Sequence, residues 1–168
     1  CLGTEPQKAP NLHDILTSCF ETRALVTVRH PLDCYLSLQA NGWLHFTPAT
    51  LDEYARRVQM FLHDHKNIAV IRYEDILTAP AAWMKSACDR LELPFDPQAL
   101  TPNSAIALSG DSGRHTAALS ARPRRPVPAG LRRMAARSPD YRELCARLGY
   151  APAPDAPPVM GPLPPAVA

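Results

Sequence analysis

The chain has 168 residues and a net charge of +2, and 46% of its residues are hydrophobic, which suits one soluble globular domain and excludes a disordered or fibrous chain. The apolar runs are far shorter than a membrane span, and no signal peptide is recognisable, so we expect no membrane span. Five scattered cysteines without C-x-x-C spacing exclude a disulfide scaffold and favour reduced thiols in the cytoplasm.

The N-terminal part predicts a helix, a strand and a second helix. Residues 12–20 place their apolar side chains at helical spacing. Residues 24–28 are apolar and rich in β-branched side chains without alternation, which predicts a strand buried on both faces. Pro31 fits the first turn of the next helix, and Gly42 ends it.

A helix, a strand and another helix follow. Thr50–Glu53 is a T-x-x-E capping box that opens a helix of about 15 residues. The predicted buried face of that helix contains Leu51, Tyr54, Ala55, Val58, Phe61 and Leu62. Residues 67–72 predict a second buried strand, and Thr78 is expected to cap a helix over residues 80–91. Strands that alternate with helices at this spacing predict an α/β fold with a parallel sheet.

The last third of the chain has a different composition. Residues 101–130 predict mostly loop, and Ser138 opens a last helix that Gly149 ends. Residues 151–168 contain seven prolines and almost no charge, which predicts a disordered tail. We therefore assign residues 1–150 to a single domain and the remainder to a tail.

Charge is distributed unevenly along the chain. Residues 1–113 contain nine Lys and Arg against thirteen Asp and Glu, whereas residues 114–147 contain nine arginines against Asp140 and Glu143. A basic end favours an anionic partner, although arginines at a solvated surface would give the same pattern. The few aromatic residues are not interleaved with these arginines, so no nucleic-acid stacking platform is evident and no nucleic-acid partner is expected.

Polar residues follow both predicted strands, at the edge where open parallel sheets bind ligands. Arg29 follows the first strand, and its permanently charged fork matches phosphate oxygens. Ser37 lies about 9 Å along the next helix at ~1.5 Å per residue, too far for the amides at the helix start to reach the same anion. A phosphate would thus be held by these two side chains, with Asp33 orienting Arg29. The alternative is that Arg29 pairs with Asp33 on a surface turn. Residues 72–75 form the second polar cluster.

Two motifs in order resemble the sulfotransferase family. They are V-x-V-R-H-P-x-D-x-x-x-S-L and, about 35 residues later, R-Y-E-D-I-x-x-x-P followed by L-x-L-P-F, and the match runs from about residue 24 to residue 97. The family uses 3′-phosphoadenosine 5′-phosphosulfate (PAPS) on a P-loop-like α/β fold. The resemblance therefore implies a parallel sheet flanked by helices, and transfer of a sulfuryl group from PAPS to a hydroxyl or amine of a small-molecule or macromolecular acceptor.

The resemblance also implies roles for particular residues. Arg29 and Ser37 match the pair that holds the 3′-phosphate, Tyr73 matches an aromatic residue that lies against the adenine, and Arg114 corresponds to a late basic loop that closes over the same phosphate. The family's P-x-x-G-[ST]-T turn, which holds the 5′-phosphosulfate, has no counterpart in this sequence. The first residue is Cys1 rather than Met, so we expect an N-terminally truncated domain that carries the 3′-phosphate part of the site and is inactive alone.

The histidines offer few candidates for a catalytic base or a metal site. His13 is a weak candidate for the base, because a solvent-facing helix position explains it better. His63 and His65 would point about 200° apart on a helix, so no metal site is predicted. Two other functions stay open: a P-loop kinase acting on a small molecule, and a non-enzymatic binder of nucleic acid or another polyanion through residues 114–147.

Overall fold

The computed structural model describes residues 12–100 and 124–155. The strands in these stretches are β1 (Leu25–Val28) and β2 (Ala69–Arg72), and the helices are α1 (Leu12–Cys19), α2 (Pro31–Ala40), α3 (Leu51–Asp64), α4 (Tyr73–Thr78), α5 (Pro80–Leu91), α6 (Ala129–Arg137) and α7 (Pro139–Arg147). A short 3-10 turn at Pro97–Leu100 follows α5. Across the described ranges, no helix has the length and apolar character needed to cross a membrane.

The two strands pair in parallel, which confirms the predicted parallel α/β arrangement. Leu25 pairs with Ala69 at one end of the ladder, and Val28 pairs with Arg72 at the other. Parallel strands end at the same edge of a sheet. The chain therefore leaves β1 at Arg29 directly beside the point where it leaves β2 and enters α4.

Helices cover the sheet and build the core. Helix α3 packs against α2, α6 and α7, and α2 also contacts α7. Val28 and Val70 of the strands join this main core. Ile71 follows Val70 and points to the opposite face, where α5 contacts β1. The most deeply buried residues of the main core include Leu32, Leu51, Tyr141 and Leu144.

Local capping signals predicted most helix boundaries correctly. The Thr50 and Ser138 hydroxyls each accept a hydrogen bond from the backbone N–H three residues later, at 3.3 and 3.0 Å. Pro31 is the first residue of α2, where it removes an N–H that would have no helical partner. Gly42 and Gly149 follow helix ends with φ of 67° and 70°, the left-handed conformation that glycine adopts without strain.

Other expectations were wrong in informative ways. Thr78 does not cap α5: it ends α4, and its hydroxyl donates to the Asp75 carbonyl at 3.2 Å. Pro80 opens α5 instead, with no side-chain cap. Neither α4 nor α6 was predicted, and α6 begins inside the segment expected to be loop. Phe61 is 45% exposed although its spacing assigned it to the buried face of α3, whereas its neighbour Leu62 in the same turn is buried in the core.

The packed region continues past the predicted domain end at residue 150. Ala151 is buried, and the carbonyls of Ala151 and Pro152 accept hydrogen bonds from His30 and Tyr141, both at 3.0 Å. Residues 156–168 lie outside the described residues, so disorder of that part of the tail stays a prediction.

Candidate functional site

The structure brings together Arg29 and Tyr73, the two site residues predicted from different strands. Arg29 follows β1 and Tyr73 follows β2, and both side chains are half-buried. The Arg29 guanidinium carbon lies 5.5 Å from the centre of the Tyr73 ring, which is within the range of a cation–π contact. A fixed cation and an aromatic ring therefore stand side by side at the carboxyl edge of the sheet.

Helix α2 carries the other predicted residues beside Arg29. Ser37 is half-buried in the middle of this helix. Asp33 is buried, and its two oxygens accept hydrogen bonds from Arg124 at 2.8 and 3.3 Å. The expectation that Asp33 orients or pairs with Arg29 is therefore wrong, because Arg124 takes both oxygens. Convergence of Arg29 and Ser37 on one anion stays a prediction.

The second polar cluster, at the end of β2, is largely structural. Arg72 is only 4% exposed, and its guanidinium donates to both oxygens of Asp75 at 3.1 and 3.2 Å. The same group lies 5.8 Å from the centre of the Tyr150 ring and donates to the Gly149 carbonyl at 3.5 Å. Arg72 thus has its donors occupied inside the protein and does not face a crevice.

Glu74 joins the two strand ends. Its side chain is buried, and one carboxylate oxygen accepts the backbone N–H of His30 at 2.9 Å. The other oxygen accepts the hydroxyl of Tyr150 at 2.5 Å. Since His30 follows Arg29 and Glu74 follows Tyr73, one carboxylate connects the neighbours of both site residues.

His30 supports the turn between β1 and α2. Its Nδ1 accepts the N–H of Leu32 at 3.2 Å, so the ring proton is on Nε2, which donates to the Ala151 carbonyl at 3.0 Å. Burial, assisted by the positive charge of Arg124, lowers the pKa of His30 to about 4. A neutral imidazole with both nitrogens engaged inside the protein buttresses the turn and is not available as a base.

A cavity of about 180 Å³ lies beside Arg29, between β1, α3 and α7. It is bordered by Arg29 and by mostly apolar residues that include Val26, Val28, Pro31, Tyr54, Val58, Phe61, Leu62, Leu144 and Leu148. Cys34 also lines it, and burial raises the pKa of this thiol, which keeps it protonated and unreactive. The cavity suits an apolar group, and Arg29 stands at its polar side.

His13, the candidate base, lies away from this edge. The His13 ring lies 6.0 Å from that of His65, and His65 follows α3 shortly before β2 begins. His13 is therefore near the amino ends of the strands, away from Arg29 and Tyr73, and its role as a base stays a prediction that this placement does not support. Arg114 lies outside the described residues.

Several arginines of the basic region have internal partners. Arg124 pairs with Asp33 and also donates to the Pro154 carbonyl. Arg132 pairs with Asp155 at 2.7 Å, and Arg147 donates to the Gln59 carbonyl at 3.4 Å. These contacts fasten α6, α7 and the following segment to the domain, so part of the charge excess between residues 114 and 147 serves the fold.

Comparison with known proteins identifies the family. A family model described as the sulfotransferase family matches residues 3–97, which is more than half of the chain. A solved structure described as the sulfotransferase domain from the curacin biosynthetic pathway is similar with a TM-score of 0.46 and 18% sequence identity, and the match covers 76% of this chain and 53% of that one. The chain thus spans about half the length of that domain. No curated protein matches significantly.

The family match covers both strand ends described above. Residues 3–97 contain Arg29, Ser37 and Tyr73, together with the Glu74 carboxylate that links their neighbours. The paired motifs R-H-P-x-D-x-x-x-S and R-Y-E-D that suggested the family thus lie inside the matched region. The chain belongs to the sulfotransferase family.

Proposed function

We propose that this chain binds the 3′-phosphate and adenine of PAPS, and so supplies this part of the donor site for transfer of a sulfuryl group to a hydroxyl or amine. The observation that carries the proposal is the contact of Arg29 with Tyr73 at 5.5 Å. Membership of the sulfotransferase family supports PAPS as the donor. The two residues that the family resemblance assigns to phosphate and adenine are neighbours at the edge where parallel sheets bind ligands.

The chemistry of the donor set fits a nucleotide phosphate. A guanidinium presents a planar fork that binds two phosphate oxygens at once. Within the described part of the chain, Arg29 forms no ion pair with a carboxylate, in contrast to Arg72 and Arg124. The half-buried hydroxyl of Ser37 would add one donor, and the ring of Tyr73 offers a flat apolar surface for a base.

The described residues account for the adenosine end of the donor and not for its reactive end. The bound donor would supply the electrophilic sulfuryl group, and a general base would accept the proton of the acceptor. Arg29, Ser37 and Tyr73 would anchor the nucleotide by its 3′-phosphate and base. The sequence holds no P-x-x-G-[ST]-T turn, so we expect these 168 residues to bind nucleotide without turnover.

Calorimetric titration with 3′-phosphoadenosine 5′-phosphate tests the proposal. The unmodified chain should release or take up heat on binding, and Ser37→Ala and Tyr73→Leu should each weaken binding by about tenfold through loss of a phosphate donor or of base stacking. Ser86→Ala, a half-buried serine of α5, is the control and should leave affinity unchanged. Absence of both heat and thermal shift with the unmodified chain would contradict the proposal.

The same titration distinguishes the two other functions. A small-molecule kinase would prefer ATP to 3′-phosphoadenosine 5′-phosphate, because its site is built around the 5′-phosphates. A polyanion binder would bind generic DNA or RNA with an affinity that falls steeply as salt rises. Preference for the 3′-phosphorylated nucleotide over both ligands supports the sulfotransferase proposal.

A further inference from the structure

We propose that Glu74 is a positioning residue, whose single carboxylate sets the separation of Arg29 and Tyr73 by bridging the ends of the two strands. The inference rests on the proposed function, since it concerns the residues assigned to the 3′-phosphate and the adenine. The proposal explains how Arg29 and Tyr73 are held in place. The R-Y-E-D motif alone does not indicate this role for Glu74.

A hydrogen bond connects the strand ends beyond the last residue pair of the ladder. The ladder between β1 and β2 ends at Val28 and Arg72, and both site residues lie beyond it. The next connection between the strand ends is the 2.9 Å hydrogen bond from the His30 backbone N–H to Glu74. His30 adjoins Arg29, and Glu74 adjoins Tyr73. This hydrogen bond therefore limits the distance between the backbone at Arg29 and the backbone at Tyr73.

The Glu74 carboxylate is itself held in place from a third segment of the chain. The Tyr150 hydroxyl donates to the other oxygen of Glu74 at 2.5 Å. The Tyr150 ring lies 5.0 Å from the ring of His30 and 5.8 Å from the guanidinium of Arg72. Burial raises the pKa of Tyr150, and the Glu74 charge adds to this effect, so the tyrosine stays a hydroxyl donor. Both carboxylate oxygens of Glu74 are therefore engaged, one by each segment.

Comparison with Glu53 separates bridging from mere burial. Glu53 is 6% exposed and Glu74 is 5% exposed, and both have two engaged oxygens. The partners of Glu53 are Arg56 and Arg57, one turn further along the same helix. The partners of Glu74 are His30 and Tyr150, which are 44 and 76 residues away along the chain. Glu53 therefore stabilises one helix, whereas Glu74 holds separate segments at a set distance.

Three substitutions at position 74 distinguish bridging geometry from charge. Glu74→Gln keeps both bonds, because its carbonyl can accept from His30 and its NH₂ group can donate to the Tyr150 oxygen. Glu74→Met has a similar length but makes neither bond, and Glu74→Asp is one methylene too short to reach both partners. We expect Gln to retain nucleotide affinity within about twofold, and Met and Asp to lose about tenfold.

Two readouts are measured on the full chain at a temperature where every variant is folded. The first is the affinity for 3′-phosphoadenosine 5′-phosphate. The second needs no ligand: the NMR shift of the Arg29 Nε–H proton, which the ring current of Tyr73 displaces and which Tyr73→Leu calibrates. In Glu74→Met this shift should move toward the Tyr73→Leu value, and in Glu74→Gln it should stay at the unmodified value.

Glu53→Met is the matched control, because it removes an equally buried carboxylate and should lower stability without changing either readout. The inference is overturned if Glu74→Met keeps full nucleotide affinity and an unchanged Arg29 Nε–H shift. It is also overturned if Glu74→Gln loses as much affinity as Glu74→Met. If the unmodified chain binds no nucleotide, the proposed function fails, and the Arg29 shift alone decides the positioning role. If Glu74→Met does not fold, Tyr150→Phe takes its place under the same criteria, with a smaller expected loss.

Discussion

Arg29 and Arg72 lie at the same edge of one small sheet, yet their surroundings are opposite. Arg72 ends β2, is 4% exposed and donates to both oxygens of Asp75. Arg29 follows β1, is half-buried and lies against the Tyr73 ring, with no ion-pair partner among the residues the structure describes. The comparison teaches that an arginine at a strand end indicates a phosphate site only where the fold leaves its donors unoccupied.

The cause of the difference is an aspartate one helical turn downstream. Each arginine has such a residue: Asp75 lies three positions after Arg72, and Asp33 lies four positions after Arg29. Asp75 pairs with its own arginine. Asp33 is bound instead by Arg124, a residue 91 positions away. Because Arg124 pairs with Asp33, the Arg29 guanidinium has no carboxylate partner within the described residues.

The largest expected effect comes from removing the structural arginine. Arg72→Met deletes a buried guanidinium together with its hydrogen bonds to the half-exposed Asp75 carboxylate and to the Gly149 carbonyl, so we expect the free energy of unfolding to fall by about 3 kcal/mol. Arg29→Met should change it by less than about 0.5 kcal/mol, because no buried partner is lost. Urea unfolding of both variants measures the difference. Equal losses in the two variants would remove the distinction between the structural arginine and the one proposed to bind the phosphate.

The next largest effect is a loss of stability at acid pH through His30, the buried residue that follows Arg29. Its folded-state pKa is lowered to about 4 by burial and by Arg124, whereas the unfolded value is about 6.5. The stability that depends on the neutral ring is therefore complete above about pH 6.5, and it is lost as pH falls from there toward about 4. Between about pH 8 and about pH 5 the loss should reach about 2 kcal/mol.

The matched variant for this pH dependence is His30→Asn. An asparagine oxygen can still accept the Leu32 N–H and keep the helix cap, but it does not titrate. Urea unfolding at both pH values should show a smaller acid destabilisation in this variant than in the unmodified chain. The same acid loss in both proteins would show that His30 is not the group responsible.

Local signals were sufficient for most elements of the fold. Both strands, the Pro31 start of α2 and the Thr50 and Ser138 caps depend on residues within one or two turns of each other, so the sequence pattern predicts them. Helix α4 escaped prediction because the Y-E-D segment has no capping residue in front of it, and its six residues are too few to show a helical apolar period.

The site was only partly predictable for the same reason. The motif resemblance indicated Arg29, Ser37 and Tyr73, and the structure brings the first and the last of these together. Nothing near Asp33 in the sequence indicates that it pairs with Arg124, and nothing near Glu74 indicates Tyr150. Those partners are set by how the segments before α6 and after α7 pack on the domain, and a local pattern does not carry that information.

The most direct test of the central claim removes the arginine and the phosphate in turn. Affinities for 3′-phosphoadenosine 5′-phosphate and for adenosine 5′-phosphate are compared in the unmodified chain and in Arg29→Met, with Arg57→Met as the control because Arg57 also lies over an aromatic ring, that of Phe46, at 5.3 Å. The unmodified chain and the control should prefer the 3′-phosphorylated nucleotide by about tenfold, and Arg29→Met should show no preference. A preference that survives in Arg29→Met would contradict the assignment of Arg29 to the 3′-phosphate.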